Sequence, residues 1–148
     1  MKHLLLIIAA VCINISALAQ ASPEIKKLFS DYASQDGSTT ETIISGDALK
    51  GTDLSLYRSL VITGSPDEAE SIAESISKFG AKAVSREVKY IDGKIYYAQF
   101  TLPKSEDNGH NRYLFYLNSH LKGGNRVMIV YMSGKAKLEQ IKKLISQQ

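Results

Sequence analysis

Two runs near the C-terminal end, YLFYL at residues 113–117 and VMIVYM at residues 127–132, are apolar or aromatic at every position. A strand turns successive side chains to opposite faces, so such strands need cover on both sides. They belong at the middle of a sheet or against a partner. Lys122-Gly123-Gly124-Asn125 between them reads as the turn of a hairpin. Any fold for this chain is built outward from that pair.

A second hairpin precedes it. Residues 83–91 and 94–102 flank Asp92-Gly93, a two-residue turn of type I′. Counted straight back from the turn, Tyr90 lies opposite Ile95, Val88 opposite Tyr97, Arg86 opposite Gln99 and Val84 opposite Thr101. That face is expected to be the buried one. The other carries Lys89, Glu87 and Lys94 with Tyr96, Ala98 and Phe100, so neither is cleanly polar and a bulge would shift the register. Residues 40–45 and 56–63 are rich in β-branched residues and read as two further strands, with breaks at Gly46-Asp47 and at residues 50–53.

Three helices complete the pattern. Ser22-Pro23-Glu24 opens the first, in which Ile25, Leu28, Phe29 and Tyr32 form one stripe and residues 35–38 end it. Ser65-Pro66-Asp67-Glu68 is a capping box with proline at the first helical position, so a helix is expected over residues 66–79. Ala69, Ile72, Ala73, Ile76 and Phe79 line its apolar face, and Gly80 is expected to close it in a left-handed conformation. Leu138, Ile141, Leu144 and Ile145 form the stripe of the last helix, with Lys137, Lys142 and Lys143 toward water. The order α-β-β-α-β-β-β-β-α predicts an α+β fold, a single antiparallel sheet of about six strands with helices packed mainly on one face.

The 148 residues leave room for one domain. Residues 1–19 have Lys2 at the start, an apolar stretch from Leu4, and Ala17 and Ala19 where a signal peptidase would cut. The expectation is an exported chain beginning at Gln20, with residues 20–148 as one domain in the bacterial periplasm or at the envelope. Cys12, the only cysteine, lies inside that segment. The mature domain would then have no thiol nucleophile, disulfide or thiolate metal site. Bulky Val11 before Cys12 argues against lipoprotein processing. Removing Lys2 leaves 17 basic against 15 acidic residues, a balance too even for an obligate nucleic-acid binder.

Chemistry is sparse. His110 and His120 lack the partners that helical metal-ligand spacing would need, there is no G-x-S-x-G elbow, and Gly123-Gly124 joins strands rather than opening a phosphate-binding helix. No catalytic residue, metal site or cofactor is expected. Arg86, between Val84 and Val88 on the apolar face, either binds an anionic ligand or covers the core with its stem while its head pairs with Glu87 or water. Tyr97 beside it, with the polar loop at residues 103–111 as a lid, would complete a small-ligand pocket or a weak hydrolase site. Tyr116 and Tyr131 fall on the two-faced strands, where aromatic side chains suit a recognition surface. The lysines of the last helix allow at most peripheral membrane contact. If all three helices cover one face, the opposite face of the last two strands needs either the first helix wrapped round it or a partner, a homodimer mate or another envelope protein.

Three segments carry a family likeness: IKKLFSDYA at residues 25–33, the strand end IIS at residues 43–45 before GDAL, and VMIVYMSGKAKLEQIKKLI at residues 127–145. In these the chain resembles a family of small exported bacterial proteins classed as domains of unknown function. The resemblance implies export and an α+β fold, and brings no catalytic residue, cofactor or ligand. Together the residues predict a non-catalytic binding or interaction module acting through a sheet face.

Overall fold

The two apolar runs do lie inside a sheet. A computed structural model describes residues 22–33 and 38–146 of the chain. Six strands, β1 (Thr39–Ser45), β2 (Leu54–Thr63), β3 (Ser85–Ile91), β4 (Lys94–Leu102), β5 (Asn111–Asn118) and β6 (Arg126–Gly134), form one sheet in the order β1-β2-β6-β5-β4-β3. Every neighbouring pair is antiparallel. The fold is α+β, with helices α1 (Pro23–Tyr32), α2 (Pro66–Lys82) and α3 (Leu138–Ser146) in the expected positions of the chain. The export reading of residues 1–19 lies outside the described residues.

The first two helices start as their sequences dictate. Ser22 Oγ accepts the amide of Ile25 and Ser65 Oγ accepts that of Glu68, each with proline at the first turn. Their apolar stripes then settle on one face of the sheet. Ile25, Leu28 and Phe29 of α1 and Ala69, Ile72 and Ile76 of α2 pack with Leu56, Leu60, Ala98, Phe100, Leu114, Tyr116, Ile129 and Tyr131 in the main core. Burial of each large side chain stabilises the fold by about 1.5–3 kcal/mol. Tyr32 ties the two helices together, its hydroxyl lying 2.6 Å from Ser75 Oγ.

α2 does not end at Gly80 but continues through it to Lys82, and Gly80 has no left-handed φ. Its role is space. A Cβ there would lie 2.8 Å from Cζ of Phe100, so the missing side chain lets the helix settle onto β4.

The β3–β4 register also departs from a straight count. Tyr90 pairs with Ile95 as expected, but a bulge follows, and Lys89 pairs with Tyr97, Val88 with Ala98 and Arg86 with Phe100. The additional residue is Tyr96, on β4. It sends Ala98 and Phe100 into the main core and leaves Tyr97 and Gln99 on the opposite face.

That opposite face is covered neither by α1 nor left bare. α3 lies over it, with Ile141 buried and Leu138, Leu144 and Ile145 packed against Tyr113, Phe115, Val130 and Met132.

Candidate functional site

A nine-residue helix is about 13 Å long, whereas six strands spaced about 4.8 Å apart span about 24 Å. α3 therefore covers only part of its face. Beside it remains a groove of ≈ 180 Å³ bordered by Tyr57, Tyr97, Leu117, Met128 and Ile145 above Phe115, Val130 and Met132. The lining is almost wholly apolar. At one end it meets a more polar recess formed by Glu87, Gln99, Lys142 and Ser146, with Tyr97 and Ile145 bordering both.

The polar end is ordered by its own contacts. The Tyr97 hydroxyl donates to Gln99 Oε1 at 3.0 Å, and Lys89 Nζ stands 5.4 Å from the Tyr97 ring centroid. Glu87 lies 3.6 Å from Lys89 and 3.9 Å from Lys142, so one carboxylate faces two ammonium groups. Burial, and then the Glu87 charge, pushes the Tyr97 phenol above its ordinary pKa. The site has an apolar floor and a mouth carrying both signs of charge. Such a shape accommodates an apolar group with a polar terminus.

Arg86 lies on the opposite face from Tyr97, so the two do not share a site. Arg86 is exposed and makes no ion pair among the described residues; Glu87 faces α3 instead. With Val88, Tyr90 and Ile95 it borders an open cleft of ≈ 410 Å³ against Ser77 and Gly80 of α2. The loop at residues 103–111 borders neither this cleft nor the groove. It folds on itself through Ser105 N–H to the His110 carbonyl and Gly109 N–H to the Ser105 carbonyl, which is not the arrangement of a lid.

Tyr116 and Tyr131 are not surface aromatics. They are 1% and 0% exposed, in the main core beneath α1 and α2, and the Tyr116 hydroxyl donates to the Ala69 carbonyl at 3.1 Å. Their strands are central, so the side chains expected at a recognition surface are the ones most deeply enclosed. Burial pushes the Tyr116 phenol up to about 12. It also raises Tyr113 and Tyr131, the latter held partly back by Arg112 and Ser133. A phenol whose pKa is higher folded than unfolded contributes stability that is present below about pH 10 and is lost as pH rises toward 12. Denaturation midpoints are therefore expected to hold up to about pH 10 and fall steeply above it. Absorbance at 295 nm should show buried tyrosines ionising late and together with unfolding.

One contact had no local signal in the sequence. Ser55, at the bulge between Leu54 and Leu56, has its Oγ 3.1 Å from His110 Nδ1 and 3.1 Å from the Ser133 carbonyl. A hydroxyl has one proton. If it goes to the carbonyl, the imidazole is the donor to Ser55 and no base activates the oxygen. The contact anchors the loop to β2. No group of three or more metal-ligating side chains occurs among the described residues.

Fold and groove together define the class: a small α+β sheet domain with an amphipathic groove. No helix of the described residues is long and apolar enough to cross a membrane. The chain belongs to a family of unknown function, DUF6108, whose profile matches residues 12–145. No curated protein matches it in sequence. Among solved structures it is similar to the extracellular domain of PknH from Mycobacterium tuberculosis, at 14% identity over 88% of this chain and 90% of that one, with a TM-score of 0.37. That likeness is too low to assign an activity.

Proposed function

We propose that the protein is an exported, non-catalytic binding module of the bacterial cell envelope that takes an apolar group of a ligand or partner protein into the groove beside α3. The observation that supports this reading is the groove itself, ≈ 180 Å³ with an apolar lining that α3 is too short to cover. Export rests on the character of residues 1–19. Glu87, Gln99 and Lys142 at the polar end suit the polar terminus of such a group.

The test uses an apolar fluorescent probe, N-phenyl-1-naphthylamine, titrated with the purified protein. Saturable enhancement is expected, and Met128→Glu, which places a carboxylate in the groove wall, should weaken it at least tenfold. Circular dichroism confirms that the variant is folded. Absence of saturable binding, or equal binding by a folded Met128→Glu protein, overturns the reading.

A further inference from the structure

Among the described residues β3 is an edge strand that pairs on one side only, the usual template for another strand. Val84 and Tyr90, large hydrophobic residues that stand exposed at 73% and 62%, lie beside it and on it. Because the bulge residue is on β4, β3 alternates without interruption. Arg86, Val88 and Tyr90 face the α2 side, and Glu87 and Lys89 face the α3 side.

We propose that β3 pairs antiparallel with β3 of a second copy of this chain, about a two-fold axis at Val88, joining two sheets into one of twelve strands. The sequence SREVKYI is complementary to itself in that register. Glu87 falls opposite the partner's Lys89, and Lys89 opposite the partner's Glu87. On the other face Arg86 falls opposite the partner's Tyr90, where a guanidinium with no ion pair among the described residues meets an exposed ring. Val88 meets the partner's Val88 on the axis. Moving the axis by one residue sets Glu87 against the partner's Glu87, or Lys89 against the partner's Lys89. The charges therefore select one register and reject its neighbours.

Charged side chains on an edge, lysine above all, ordinarily discourage pairing unless the partner supplies opposite charges in register. β3 carries charges that match. The other edge strand, β1, lacks this match: an axis at Thr42 would face Glu41 toward the partner's Ile43. The pairing shares Glu87 with the polar end of the groove but none of its apolar walls, so Met128→Glu should leave dimerisation intact and the failure of either reading is distinguishable.

The experiment is sedimentation velocity of the purified protein over a hundredfold dilution series. Glu87→Lys, Lys89→Glu and the double variant are compared with it, each checked by circular dichroism. A concentration-dependent dimer is expected, weakened at least tenfold by either single reversal and restored by the double variant, which re-creates both cross-strand ion pairs. Cysteine crosslinking in a Cys12→Ser background reads the register. Val88→Cys should oxidise to a covalent dimer, since residues directly opposite lie about 4.5–5.5 Å apart, within disulfide range. Glu87→Cys should not, its diagonal separation being about 7–8 Å. A monomer at every concentration, a dimer indifferent to both single reversals, or equal crosslinking at the two positions overturns the proposal.

Discussion

Alanine at Gly134 is expected to destabilise the domain by about 4 kcal/mol. Gly134 ends β6, where it pairs with Leu54 of β2 on one side and Asn111 of β5 on the other. A Cβ there would sit 2.5 Å from the Asp53 carbonyl oxygen, 2.7 Å from Leu54 Cα and 2.9 Å from the Ser55 amide nitrogen. All three are backbone atoms at the β2 bulge, and none can swing aside as a side-chain tip can. The φ of +157° adds a conformation that side-chain-bearing residues rarely adopt. Strain of about 1–3 kcal/mol and overpacking of a similar size combine to the stated figure. The check is urea denaturation of the variant beside Gly123→Ala. Gly123 also has positive φ, +81°, but open space where its Cβ would be, and should cost only about 1 kcal/mol. A difference of about 3 kcal/mol between the two contains the contact together with the extra strain of φ +157° over φ +81°.

Much of the fold was legible because its signals are local. The capping serines, the Asp92-Gly93 turn and the three helical stripes each lie within a few residues, and each occurs where the sequence places it. The groove was not legible, since it depends on which face α3 chooses and how far nine residues reach. Amphipathicity says that a helix packs, not against what. The same holds for Tyr116 and Tyr131: a tyrosine on a strand looks equally suited to a surface or a core, and only the central position of β5 and β6 under α1 and α2 decides. Arg86 was placed on the correct face of β3, but that face continues past the edge of α2 and is open to water. The Tyr96 bulge explains why Tyr97, counted onto the Arg86 face, reaches the other one.

Arg58, a buried charge held by distant groups, yields the second large effect. Arg58 shares its face of β2 with Leu56 and Leu60 and is 7% exposed. Two groups from elsewhere in the chain hold it there. Glu41 of β1 accepts from its Nε at 2.7 Å and from its Nη2 at 2.6 Å, and its guanidinium carbon lies 4.4 Å from the centroid of Phe29 on α1. The aromatic face alone does not neutralise a desolvated charge. Glu41→Ala is therefore expected to cost about 2–3 kcal/mol, at the lower end for a broken buried pair because Glu41 itself is partly exposed. Arg58→Met with Glu41→Leu removes both charges while keeping the bulk, and should recover most of that loss. Glu41→Leu, Arg58→Met and the double, each followed by urea denaturation, give the coupling directly. Asp31→Ala, which breaks the exposed Lys27–Asp31 pair on α1, should stay within about 0.5 kcal/mol of the parent. If Glu41→Ala proved as mild as that control, the Phe29 ring and the arginine stem would be sufficient to seat the charge. Burial of Arg58 would then be a packing choice and not an electrostatic one.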